Sequence, residues 1–324
     1  MSWHFRSVRH ARSESGAGSV TSMQARNRDV TIEWEERGPA DGETILLIMG
    51  LGAQMVAWRD GFCDQLAEHG YRVIRFDNRD AGLSSRTVGP APSFADMAKV
   101  GVSAHRPRHS KPKVAYTLSD MAEDAIAVLD AAGVRRAHVV GSSLGGMIAQ
   151  TVAIEHPSRV ASLTSIMSKT GAPFSGLPTP RVLRKVMQPT PTDRAGALAY
   201  ELERAVVTCG PLLDREAMAA FLEEAYERSP DRGGMAFQLT AIFASGDRTR
   251  ALRRLEVPTL VIHGRADELV RMSGGTATAA AVPGAELVIL NEMGHYLPPE
   301  LWPTIVDSIT GHAHRANQPR VVSC

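Results

Sequence analysis

The chain has 324 residues, 44% of them hydrophobic, and a formal net charge of +1 from 36 basic and 35 acidic side chains. That length suits one large α/β domain with an insertion, or two domains. The balanced charge argues against nucleic acid or an anionic membrane as the main partner. No run of about 20 apolar residues is present to span a bilayer. Cys63, Cys209 and Cys324 are widely spaced and form no CxxC pair. This is neither a disulfide framework nor a zinc site, and it fits a reducing, cytoplasmic compartment.

Residues 1–22 carry Arg6, Arg9 and Arg12 among serines and glycines, with Glu14 the only acid. They lack the apolar stretch of a secretory signal. The expectation is a disordered leader, or an upstream start ahead of Met23, with a transit peptide as the alternative. Residues 30–35 alternate as a half-buried strand would. Residues 44–49 form a continuous apolar run, as in a strand buried on both faces of a parallel sheet, and stop at Gly50-Leu51-Gly52. Residues 58–68 have helical periodicity through Phe62 and Leu66, closed by Gly70. Residues 71–76 read as the next strand. It runs into a polar turn where Asp77, Arg79 and Asp80 read as a buried ion-pair network.

Residues 87–114 are rich in Pro, Gly, Ser and basic side chains, and read as a long surface loop with one helical turn at most. A helix follows, opened at 117–120, with Met121, Ala125, Ile126 and Leu129 on its apolar face. Residues 136–140 are a strand, 147–154 an apolar helix and 160–167 a strand. From 169 to 249 the alternation stops, with helical stretches at 181–187, 194–208, 214–227 and 232–244. This reads as an all-helical cap over the sheet's C-terminal edge. A strand at 259–262, a helix at 273–281, a strand at 286–290 and a helix at 301–309 resume the pattern. Residues 312–324 read as a flexible polar tail, where His312 and His314 suggest solvated side chains more than a metal site. The expected fold class is therefore α/β: a doubly wound, mostly parallel sheet (23–168 and 250–311) with a helical insertion (169–249). Ligands bind such sheets beyond the carboxyl ends of the strands.

Between the strand at 136–140 and its helix lies Gly141-Ser142-Ser143-Leu144-Gly145, a Gly-x-Ser-x-Gly turn. A serine on so sharp a strand-to-helix turn needs an unusual backbone angle and small neighbours. Centring the motif on Ser142 instead would put Val140 and Leu144 where the glycines belong. Asp267 and His295 each follow a strand, 28 positions apart, with one helix and one strand between them. All three side chains are thus expected at one sheet edge, in the order Ser, Asp, His. A serine hydroxyl is too weakly acidic to attack a carbonyl unaided. A histidine titrating near neutrality can take its proton and return it to a leaving group. A carboxylate then holds the ring's other nitrogen. Backbone N–H groups of Leu144 and Leu51 are placed to stabilise an oxyanion. Taken singly, Asp267 reads equally as a helix N-cap, Glu268 is an alternative acid, and His295 could be an ordinary loop histidine. His263 reads as a packed turn histidine, His156 as a helix C-terminal residue, and Asp247 as a turn residue. Met49, Met55 and Met147 read as core or as the lining of an apolar acyl pocket. Phe174, Phe221, Phe237 and Phe243 suggest an apolar lid, or plain packing. Nothing near Cys63 or Cys209 supports a low thiol pKa.

With these residues in view, the chain resembles the α/β-hydrolase family over residues 24–311. The matching segments are Met49-Gly50-Leu51-Gly52, residues 77–84, Gly141 to Gly145, residues 263–267 and Gly294-His295. Within that family, Leu47-Ile48-Met49-Gly50-Leu51-Gly52-Ala53-Gln54, Phe76-Asp77-Asn78-Arg79-Asp80 and Gly145-Gly146-Met147-Ile148-Ala149-Gln150 look like bacterial carboxylesterases grouped with aclacinomycin-type methylesterases. The resemblance implies a Ser143/Asp267/His295 triad, a helical cap and no cofactor. Many relatives have His-Gly where this chain has Met49-Gly50, so a side chain that often braces the oxyanion loop is missing. The expected activity is hydrolysis of a small-molecule carboxylic ester with an apolar acyl group. A carbon–carbon bond hydrolase or a perhydrolase would use the same residues, and a ligand receptor on this fold is the non-enzymatic alternative. The sequence carries no signal of oligomeric state.

Overall fold

The computed structural model of the chain describes residues 22–104, 113–231 and 233–318. The expected leader lies outside them, apart from Ser22. Met23–Asn27 (β1) and Val30–Arg37 (β2) form an antiparallel hairpin. Thr44–Ile48 (β3) is followed by Asp60–Glu68 (α1) and Arg72–Phe76 (β4). Phe94–Ala104 (α2) and Leu118–Ala131 (α3) lead to Ala137–Ser142 (β5), Leu144–Glu155 (α4) and Val160–Ile166 (β6). The helices Pro180–Val186 (α5), Arg194–Thr208 (α6), Arg215–Arg228 (α7), Met235–Ser245 (α8) and Thr249–Leu252 (α9) intervene. Thr259–Gly264 (β7), Ser273–Ala281 (α10), Glu286–Leu290 (β8) and Trp302–Asn317 (α11) complete the order.

The sheet runs β1-β2-β4-β3-β5-β6-β7-β8. From β4 to β8 the pairings are parallel, and β2 pairs antiparallel with β1 and β4. The strand pleat divides each central strand between two cores. Leu46 and Ile48 of β3 pack with α3, α4, α9 and α10, while Ile45 and Leu47 pack with α1 and α11. Both faces are covered, which is why β3 reads as an unbroken apolar run. Local chemistry sets the helix starts. Thr117 and Asp120 form a capping box on α3, and the Asp193 and Asp214 carboxylates accept from the first N–H groups of α6 and α7.

Two expectations change, and one strand is added. Residues 87–114 contain the 11-residue α2, started by reciprocal bonds between Ser93 and Asp96 and laid on α8, where Gly101 meets Phe243. The polar strand β1 escapes notice because it is an edge strand with only Ala25 buried. The tail is helical to Asn317. Ile305, Ile309 and Ala313 keep the apolar face of α11 going, and His312 is buried with Nδ1 at 3.0 Å from Glu286 Oε1. Among the described residues, no helix is long and apolar enough to cross a membrane, and no three His, Cys, Asp or Glu side chains converge to hold a metal ion.

Candidate active site

Ser143 stands between the end of β5 and the first residue of α4, with φ 56° and ψ −117°. Such a backbone costs a non-glycine residue about 1–3 kcal/mol and persists only when its surroundings impose it. Here they do. Ser143 N–H donates to the Ile166 carbonyl at 2.9 Å, and the Ser143 carbonyl accepts from Ser168 Oγ at 2.7 Å and Gly146 N–H at 3.0 Å. The flanking glycines are required by close approach. A Cβ on Gly141 would lie 2.0 Å from the Gly145 carbonyl oxygen, and one on Gly145 would lie 2.0 Å from the Ile48 carbonyl oxygen.

His295 Nε2 lies 2.9 Å from Ser143 Oγ, and His295 Nδ1 lies 2.7 Å from Asp267 Oδ2. The Asp267 side chain is fully buried, and its Oδ1 accepts from the N–H groups of Leu269 at 2.9 Å and Val270 at 2.8 Å. A carboxylate only accepts, so Nδ1 carries the ring proton and Nε2 is left to accept from the serine hydroxyl. The His295 N–H donates to the Thr208 carbonyl at 2.7 Å, tying this loop to the C-terminus of α6. Glu268 is not the acid of this set, because its Oε2 accepts from Thr179 Oγ1 at 2.9 Å. His263 is a buried strand residue behind Asp267. Its Nε2 donates to the Val270 carbonyl at 2.7 Å and sits 3.7 Å from Asp267 Oδ2, and burial lowers its pKa.

Leu144 is the first residue of α4, where an N–H has no partner up the helix. The loop carrying Leu51 abuts the nucleophile: a Cβ on Gly50 would stand 3.2 Å from Ser143 Cβ. The structure thus gathers Ser143, His295, Asp267 and both loops at the C-terminal edge of the sheet. The arrangement can activate a hydroxyl, receive its proton and present backbone donors to a developing anion.

Other expectations are redistributed. Asp77, Arg79 and Asp80 are buried, but they do not pair with one another. Asp77 accepts from Met55 N–H at 2.7 Å and Leu83 N–H at 2.9 Å and meets Arg228 of α7 at 2.8 Å. Arg79 pairs with Asp124 at 2.5 Å, and Asp80 accepts from Tyr116 at 2.7 Å. Asp247 is a turn residue accepting from Thr249 N–H, and His156 ends α4 at 3.0 Å from Glu123. Met49 and Met147 are packed one into each core, and Met55 is buried with its N–H on Asp77. Phe174 is 86% exposed, and Phe221 lies under the Arg59 guanidinium. Burial pushes the Cys63 thiol up to about 12 and the Cys209 thiol up to about 11. Ser168, Thr208, Asn78 and Gln238 support the site and gave no sequence signal, except that Asn78 lies within a quoted motif.

The sheet, the elbow and the converging loops define an α/β hydrolase architecture. The chain belongs to that family: a model of the alpha/beta hydrolase fold matches residues 43–300. It is similar to the rhodomycin D methylesterase DauP of Streptomyces sp. (strain C5), 31% identical over 89% of this chain and 97% of that protein. It is also similar to a 2-hydroxy-6-oxononadienedioate/2-hydroxy-6-oxononatrienedioate hydrolase of Paraburkholderia phymatum, at 26% identity over 94% of each chain. Among solved structures, the 2-hydroxy-6-oxo-6-phenylhexa-2,4-dienoate hydrolase of Rhodococcus sp. strain RHA1 shares the fold. Its TM-score is 0.71 and its identity 18%, covering 91% of this chain and 99% of that one.

Proposed function

We propose that this protein is a serine hydrolase that cleaves carboxylic esters through an acyl-enzyme on Ser143. The observation that carries the reading is the unbroken chain from Ser143 Oγ to His295 Nε2 at 2.9 Å and from His295 Nδ1 to Asp267 Oδ2 at 2.7 Å. Similarity to a protein named a methylesterase supports the ester as the substrate class. Ser143 Oγ attacks the carbonyl carbon while His295 Nε2 takes the hydroxyl proton. The Leu144 and Leu51 N–H groups receive the oxyanion, each worth about 100- to 1000-fold in rate. The intermediate collapses with expulsion of the alcohol, which leaves carrying the proton from His295. Water then attacks the acyl-enzyme, giving its proton to His295, and the acid departs as Ser143 regains a hydrogen. The insertion from α5 to α8 acts as a cap over this edge and shapes the pocket for a small ester with an apolar acyl group.

The second reading is carbon–carbon bond hydrolysis with the same three residues, favoured by similarity to the Paraburkholderia hydrolase. Turnover of nitrophenyl esters, with a serine-reactive phosphonate as probe, separates the two. Ester turnover abolished in Ser143→Ala supports the esterase. Labelling of Ser143 without ester turnover moves the reading to carbon–carbon hydrolysis or ligand sensing.

A further inference from the structure

The loop that presents the Leu51 N–H is gripped from both sides by buried side-chain amides. Asn78, just past β4, donates Nδ2 to the Met49 carbonyl at 2.8 Å. Gln238, fully buried on α8 of the insertion, accepts from the Gly52 N–H at 2.8 Å through Oε1. Its Nε2 donates to the Arg79 carbonyl at 2.7 Å. Only this orientation of the Gln238 amide satisfies both partners, because an N–H needs the oxygen and a carbonyl needs the NH₂.

The geometry of the gripped groups matters. The Met49 carbonyl belongs to the peptide plane before the Gly50–Leu51 plane, and the Gly52 N–H belongs to the plane after it. Each plane is rigid. With both neighbours held, the plane that carries the Leu51 N–H keeps one direction, although glycines at 50 and 52 would otherwise let it swing. Met49 is a thioether and offers the loop no donor of its own. One jaw of the clamp comes from the sheet edge and the other from the insertion, 186 positions away in sequence.

We infer that Gln238 and Asn78 are positioning residues for the oxyanion hole, so that the seating of α8 on the core sets the rate of the chemical step as well as access to it. This rests on the serine-hydrolase reading. A misaimed donor costs most of what a lost donor costs, because its strength falls steeply with angle.

The test compares the full-length parent with Gln238→Met, which keeps the side chain's bulk and removes both hydrogen bonds. Nitrophenyl ester kinetics are measured beside two inhibitors of equal chain length. One is an alkyl trifluoromethyl ketone, whose serine adduct places an oxyanion in the hole. The other is the corresponding alcohol, which does not. Gln238→Met is expected to lower kcat by about 10- to 100-fold with KM within about twofold. The ketone should weaken by the same factor as kcat/KM, with alcohol binding unchanged. Asn78→Asp, which removes the donor to Met49 at equal size, carries the same expectation and stands in if Gln238→Met does not fold. If kcat and ketone affinity stay within about twofold of the parent, the inference is wrong. If alcohol and ketone weaken equally, Gln238 is ordinary packing and the inference is also wrong. If Ser143→Ala keeps the parent's turnover, the serine-hydrolase reading falls and takes the inference with it. A dead Ser143→Ala beside a fully active Gln238→Met sinks the inference alone.

Discussion

Replacing Asp267 by Asn separates orientation from size, because the two side chains are nearly isosteric. Oδ1 of Asp267 accepts from two backbone N–H groups, at 2.9 and 2.8 Å. An Asn amide keeps those bonds only with its oxygen there, which turns its NH₂ toward His295 Nδ1. Two donors cannot face each other, so the imidazole moves its proton to Nε2 and loses the lone pair that receives the Ser143 proton. Flipping the amide would restore the ring tautomer but aim NH₂ at the Leu269 and Val270 N–H groups. Leaving these two donors unpaired costs about 2–6 kcal/mol. The catalytic loss from the wrong tautomer is about 10⁴-fold in kcat, or about 5.5 kcal/mol. Even at the low end of that cost the flipped amide leaves only about one molecule in 30 with the right tautomer, so neither arrangement restores the parent rate. Steady-state kinetics on a nitrophenyl ester, with circular dichroism to verify folding, would measure this. If folded Asp267→Asn keeps more than about a tenth of the parent kcat, where a loss of about 30- to 10⁴-fold is expected, the assigned role of Asp267 is wrong.

Gly145→Ala would push a Cβ to 2.0 Å from the Ile48 carbonyl oxygen, where both sides are backbone. A loss of about 3 kcal/mol or more is expected in urea unfolding. Arg228→Met leaves the fully buried Asp77 without its cation. It should cost about 3 kcal/mol, and Asp77→Asn in the same chain should recover part of that. His138 and His263 are buried with pKa values lowered chiefly by desolvation. Below about pH 6.5 the unfolded chain binds protons that the folded one refuses, so stability falls as pH drops from there toward the depressed native values. Each histidine contributes at most about 1.4 kcal/mol between pH 6.5 and 5.5, and His138→Gln should make the urea-measured slope shallower. With their thiols raised to about 12 and about 11, Cys63 and Cys209 should resist iodoacetamide at pH 7.5 until the protein is unfolded, as read by mass spectrometry.

The elbow was legible because its constraint is local: Gly141 and Gly145 sit where backbone passes within 2.0 Å of an added Cβ. Asp267 and His295 were legible because strand-helix-strand alternation carries both to one sheet edge. The supports were not. Gln238 is one glutamine on an apolar helix, and its partner Gly52 is 186 positions away, so no periodicity marks it. The Thr208 carbonyl that holds His295 is a backbone group with no sequence signature. Helix α2 was hidden by breaker-rich composition, since its stability comes from a Ser93–Asp96 cap and from packing on α8. The continuation of α11 was hidden because its histidine looks solvated until Glu286 is seen beside it.

The central claim is that Ser143 is the nucleophile of an ester hydrolase. Its most direct test is turnover of nitrophenyl esters from acetate to decanoate by the parent and by Ser143→Ala. The account predicts turnover by the parent, with an optimum chain length that sizes the acyl pocket, and none by the folded variant. Equal turnover by both proteins would contradict it, as would a folded parent that neither turns over an ester nor takes a phosphonate label at Ser143.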